Sequence, residues 1–247
     1  RQAGCIVIGK TNVPEFGLGS HTYNDVFGAT GNAYDPTRSA GGSSGGAGVA
    51  LATRMVPVAD GSDYMGSLRN PAAWDNVFGF RPSQGRVPDW PSLDAYLSQM
   101  STEGPMGRTV LDMAMLLGTQ AGPSPYTPLA LDSTLVEFTD IDTARATLDA
   151  GVRHEGVRGI RVGWLGDLHG HLATEPGVLA ACESGLRRLE SLGCVVEPTT
   201  LQVDLARVWD AWLAWRHHAI AASLGATAAD PGRAALMKPE GRWEIER

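Results

Sequence analysis

An α/β fold, a mixed twisted central sheet covered by helices on both faces, is what this sequence predicts, and three observations lead to it. Residues 160–165 (IRVGWL) and 194–196 (CVV) are short apolar runs of strand length. Between them Val178, Cys182, Leu186 and Leu189 recur at helical spacing, so strand, helix and strand follow one another as they do where a helix covers a sheet. Further upstream, the small-residue run 46–53 followed by the apolar run 55–59 gives a helix and a strand in close succession.

In chain order, Cys5-Ile6-Val7-Ile8 opens the sequence as a short apolar run typical of a buried strand. Residues 11–30 are loop-rich, punctuated by Gly17, Gly19, Asn24 and Gly28. The helix at 46–53 starts from a Gly/Ser loop, and the strand from Met55 ends at Asp60. Residues 74–80 form a second short apolar segment, and 82–91 read as loop. A helix over 109–117 follows from apolar density and is ended by Gly118 and Gly122. Pro123, Pro125 and Pro128 mark a break. The last element is an amphipathic helix over 205–222 carrying Val208, Trp209, Trp212 and Ile220. One domain results, with a core at 1–122, a loop and linker at 123–157, and a peripheral α/β segment at 158–247.

Composition narrows the function classes. Apolar residues make up 43% and charged residues 19%, as in a soluble enzyme. The net charge of −7, with basic residues scattered singly, gives no nucleic-acid footprint. No apolar run is long enough for a membrane span. Cys5, Cys182 and Cys194 lack metal-ligand spacing and read as buried thiols of a reducing, cytoplasmic compartment. His169-Gly170-His171 has no third ligand and reads as loop.

The chemistry sits at 39–71. Gly41-Gly42-Ser43-Ser44-Gly45-Gly46 and Asp63-Tyr64-Met65-Gly66-Ser67-Leu68-Arg69 are two serine clusters set in glycine. Glycine lets backbone N–H groups approach a ligand closely. A serine hydroxyl among such groups is a nucleophile beside an oxyanion hole, as acyl transfer requires.

The two clusters, their order and the 24 positions from Ser43 to Ser67 resemble the amidase signature family of serine hydrolases. Gly9-Lys10-Thr11-Asn12-Val13-Pro14-Glu15-Phe16-Gly17 is similar to that family's upstream block. Gly79-Phe80-Arg81-Pro82-Ser83 with Gly85-Arg86-Val87, and Gly104-Pro105-Met106 with Arg108, are similar to its downstream blocks. The resemblance implies hydrolysis of a small-molecule amide, without metal or cofactor, and leaves a homodimer open. It assigns Ser67 as nucleophile and Ser43, after a cis peptide bond, as the bridging serine. It gives the oxyanion to the backbone N–H groups of Tyr64, Met65, Gly66 and Ser67. Asp63, Arg69 and Ser44 become structural supports, with Asp63 and Arg69 as a buried ion pair, and Leu18 and Gly42 substrate-binding residues. A neutral lysine lowered in pKa by burial is the family's base, with the bridging serine as the proton wire.

Two departures stand out. Met65 occupies a position where the family usually has glycine. The family's lysine precedes the Gly9–Gly17 block, and the only lysines here are Lys10 and Lys238, so the base is expected outside these residues. Three other readings stay open: the A-type subunit of a glutamine-dependent tRNA amidotransferase, a non-catalytic small-molecule-binding relative, and an α/β-hydrolase esterase. The last rests on Gly42-Ser43-Ser44-Gly45-Gly46 fitting a nucleophile elbow at Ser44, although Asp35–Ser39 is no strand.

Overall fold

The computed structural model describes residues 3–92, 94–96, 99–152 and 156–246. The chain divides into two units, residues 1–144 with 215–247, and residues 145–214.

The first unit opens with a 3-10 turn at Glu15–Gly17 and a small antiparallel hairpin, β1 (Tyr23–Asn24) and β2 (Gly28–Ala29). Helix α1 (Gly45–Ala52) leaves the first Gly/Ser cluster, with β3 (Val58–Asp63), α2 (Arg69–Trp74) and β4 (Phe78–Gly79) after it. Strand β5 (Thr102–Gly107) lies between β3 and β4, antiparallel to both, with Val58 opposite Gly107 and Asp63 opposite Thr102. Ala47 and Leu51 of α1, Leu68, Ala72 of α2 and Met106 of β5 form the core. Burying each large apolar side chain here stabilises by about 1.5–3 kcal/mol. Helix α3 (Val110–Gln120) packs on β5. Its N-cap Thr109 accepts the Asp112 N–H at 3.0 Å, a cap worth about 1 kcal/mol.

Helix α4 (Ile141–Val152) follows a 3-10 turn at Val136–Phe138. In the second unit, β6 (Arg161–Trp164) and β7 (Val195–Pro198) run parallel, joined through α5 (Val178–Ser191). That is the predicted strand–helix–strand unit, and parallel strands need such a crossover. Helix α6 (Leu205–Ala228) is followed by α7 (Pro231–Leu236), capped by Asp230, and α8 (Pro239–Ile245).

Several expectations change. Cys5–Ile8 forms no strand and is exposed, because no described strand lies beside it to accept its backbone bonds. Cys5 and Cys182 are exposed and only Cys194 is buried. The stretch read as loop and linker holds α4; its residues 153–155 lie outside the described residues. The strand expected from Met55 starts at Val58 and runs on to Asp63, three residues further than its apolar pattern.

Candidate functional site

Both serine clusters sit where a regular element meets a loop. Ser43 and Ser44 precede α1, and Ser67 lies between β3 and α2. Five of the first six residues of α1 are glycine or alanine because its first turn runs against other backbone. A Cβ at Gly46 would stand 2.6 Å from the Asn12 amide nitrogen and carbonyl oxygen. The Gly42–Ser43 peptide bond is cis, as the resemblance implied. Ser43 and Ser44 are both buried.

The two clusters join through backbone. The Ser44 N–H donates to the Ser67 carbonyl at 3.3 Å, and Ser44 Oγ donates to the Ser62 carbonyl at 3.5 Å. Among the described residues no hydrogen bond joins Ser43 Oγ to Ser67 Oγ. Ser67 is half-buried and its hydroxyl is not bonded to another described residue. The loop entering Ser44 has no strand leading into it, so the nucleophile-elbow geometry is missing there.

Asp63 organises the second cluster. Its carboxylate is 0% exposed, accepts the N–H groups of Gly66 at 2.7 Å and Leu68 at 3.2 Å, and takes a two-pronged contact from Arg69 at 2.9 and 3.0 Å. Burial pushes the Asp63 carboxyl up, but the Arg69 guanidinium and the two N–H groups together outweigh it and hold it below the usual carboxylate range. The expected buried ion pair is buried on one side only, since the Arg69 side chain is 56% exposed.

Gly66 takes φ of +111°, a left-handed geometry that favours glycine, and its N–H is committed to Asp63. It is therefore not a free donor for an oxyanion in this arrangement. The N–H groups of Tyr64, Met65 and Ser67 make no hydrogen bond to another described residue. The Met65 side chain is exposed, so it turns to solvent rather than into the loop.

Sequence reasoning passed over two residues that fix these loops. Thr22 is buried; its hydroxyl donates to the Gly41 carbonyl at 2.8 Å and accepts the Gly45 N–H at 3.2 Å, so it spans the Ser43 turn. A lone threonine in a loop gives no signal of that. Arg81 donates to the carbonyls of Asp63 at 3.3 Å and Met100 at 2.9 Å. Its place in the Gly79–Ser83 block was the available signal.

The two lysines differ. Lys10 is exposed. Lys238, which its position in the sequence puts far from the core, folds back so that its ammonium donates to the Leu18 carbonyl and lies 5.4 Å from the centre of the Tyr23 ring. Burial lowers its pKa. Neither lysine makes a hydrogen bond to Ser43. Leu18, Tyr23 and Lys238 line a cavity of about 560 Å³, which also reaches Ser20 and His21. Those two pack against Gly42: a Cβ there would stand 3.0 Å from the Ser20 carbonyl carbon and 3.1 Å from the His21 nitrogen.

Comparison with known proteins bears on the family and the fold. The Amidase family model matches residues 1–236. The A-type subunit of the glutamyl-tRNA(Gln) amidotransferase of Mycobacterium bovis (strain BCG / Pasteur 1173P2) is 39% identical over 196 residues, 79% of this chain and 38% of that protein. A bacterial aryl acylamidase of the amidase signature family superposes with a TM-score of 0.82 at 30% identity, over 96% of this chain and 48% of the other. The corresponding A-type subunit from Thermotoga maritima gives 0.67 at 32% identity, over 80% of this chain and 40% of the other. The chain thus spans less than half the length of each of these three relatives. With two glycine-set serine clusters joined backbone to backbone at the edge of a mixed α/β fold, and a family match over nearly its whole length, this chain belongs to the amidase signature family.

Proposed function

We propose that the full-length protein hydrolyses a carboxamide C–N bond through an acyl-enzyme formed on Ser67. The observation that carries this is the bond from the Ser44 N–H to the Ser67 carbonyl, which draws the two serine turns together across the α1–β3 excursion. Ser67 Oγ attacks the carbonyl carbon, and the N–H groups of Tyr64, Met65 and Ser67 take the developing oxyanion. The Ser67 proton passes to Ser43 Oγ and on to a neutral amine base, and Ser43 returns a proton to the leaving nitrogen. Water then resolves the acyl-serine. Neither Lys10 nor Lys238 is assigned as that base, since neither bonds to Ser43.

The test is to treat the full-length protein with a fluorophosphonate, map the modified peptide by mass spectrometry, and assay simple aryl amides. Label on Ser67, with turnover lowered by a factor on the order of 10⁶ in Ser67→Ala, is expected. Label on Ser44, or turnover surviving in Ser67→Ala, overturns the proposal.

A further inference from the structure

The cavity beside the Ser43 turn carries in its wall an ammonium that forms no ion pair with a carboxylate among the described residues. Lys238 is half-buried at the N-cap of α8, and its Nζ sits among three residues of the lining. It donates to the Leu18 carbonyl, lies 5.4 Å from the centre of the Tyr23 ring, and would stand 3.8 Å from a Cβ on Gly19. All three neighbours are neutral. An ammonium has three N–H donors, and the Leu18 carbonyl takes one of them.

The acids around it are engaged elsewhere. Glu244 pairs with Arg216 at 2.5 Å. Glu240 is exposed and accepts the Tyr23 hydroxyl at 2.9 Å, and Glu15 accepts the Lys238 backbone N–H at 3.1 Å. Burial lowers the pKa of Lys238 although Glu240 and Glu15 act to raise it, so these acids do not make up for the water that the ammonium has lost. A half-buried charge with only neutral contacts favours an anion brought to it by a ligand. The cavity, about 560 Å³, leads from this wall to both serine turns. Ser20 and His21 of its lining pack against Gly42, and Arg216 lies 5.9 Å from the centre of the Tyr64 ring, in the segment before Ser67.

We infer that the Lys238 ammonium receives a carboxylate of the substrate, at the end of the molecule away from the amide bond that is cut. The inference rests on the hydrolase reading and names its substrate class: amides that also carry an ionised carboxylate.

Two ladders of compounds test it in the full-length protein, each pairing a carboxylate with the primary carboxamide of the same shape. One holds the mono-p-nitroanilides of the dicarboxylic acids from malonic to adipic, so that the carboxylate is offered at several distances from Ser67. The other holds acetanilides with the carboxylate at each position of the ring. In at least one ladder the carboxylate should be preferred by about 10- to 100-fold in kcat/KM, the worth of a hydrogen bond between charged groups. Lys238→Met and Lys238→Gln should each bring that ratio to about one or below, and either variant that folds decides. Lys10→Met, at the exposed lysine, should keep the ratio. Carboxamides turned over at least as fast as carboxylates at every position of both ladders overturn the inference, and so does a preference that persists without the Lys238 ammonium. Calorimetry on Ser67→Ala with the same compounds separates this from the hydrolase reading. Tighter binding of the carboxylate without wild-type turnover would sink the latter alone, and turnover without carboxylate preference would sink this inference alone.

Discussion

Arg81 Nε stands 3.3 Å from the Asp63 carbonyl oxygen and 3.4 Å from its Oδ1, so one guanidinium holds both the backbone and the side chain of the residue that shapes the Ser67 turn. Asp63 therefore has two cationic partners rather than the single one its sequence spacing suggests. Asp63→Asn should cost about 3–5 kcal/mol, since it weakens both ion pairs and the two N–H bonds at a fully buried site. Arg69→Ala should cost no more than about 1 kcal/mol, because Arg69 is largely in solvent and Arg81 remains. Urea melts of the three proteins measure this; equal losses in the two variants would refute the shared-clamp account.

Asp63 and Glu103 give opposite pH signatures. The folded-state pKa of Asp63 is depressed, so its contribution is present above the unfolded value and lost as pH falls through the folded one. Glu103 faces the other way: burial, with Asp89 and Asp60 nearby, raises it from 4.5 to about 7. Asp60 and Glu103 sit diagonally on one face of the β3–β5 pair, opposite Pro105 and Ser62. The folded state thus holds the Glu103 proton more tightly, and stability declines between pH 4.5 and about 7 and is level beyond. Glu103→Gln should raise the melting temperature at pH 8 and leave it nearly unchanged at pH 4. A gain of the same size at both pH values would show that Glu103 is not the group responsible.

Thr22 should behave as a latch. Thr22→Val keeps the shape and removes the hydroxyl, leaving the Gly41 carbonyl and the Gly45 N–H without that partner. A loss of about 1–3 kcal/mol is expected, with Thr22→Ser recovering most of it. Chemical denaturation decides the point; a neutral Thr22→Val would mean that water replaces the hydroxyl at no cost.

Two glycine-to-alanine changes should have opposite signs. Gly46→Ala forces a Cβ onto the Asn12 backbone and should destabilise by about 1–3 kcal/mol. Gly225→Ala, inside α6 with nothing within 4 Å of the added carbon, should stabilise by about 0.5–1 kcal/mol through helix propensity alone. Thermal melts of the two variants shifting in the same direction would contradict the packing seen at Gly46.

The sequence by itself determined the elements whose signals are local. Apolar density and periodicity were enough to locate α3, which runs on through the expected stop at Gly118 to Gln120, and α5 with the pair β6–β7, because a helix face and a short apolar strand each write their pattern into adjacent residues. The Gly/Ser density at 41–46 and at 66–67 was enough to locate the two turns, since few other residues tolerate such close backbone approach. Tertiary structure decided the rest. Strand β5 reads Thr-Glu-Gly-Pro-Met-Gly, poor in β-formers, and is a strand only because β3 and β4 flank it. Cys5–Ile8 shows the converse, with strand-like residues and no described neighbour to pair with. Thr22 reaching Gly41, Lys238 reaching Leu18 and Glu244 meeting Arg216 join residues 19, 220 and 28 positions apart. No local pattern encodes such pairs. They exist because burial strips water from each polar group and leaves it only the partner that the folded chain brings within reach.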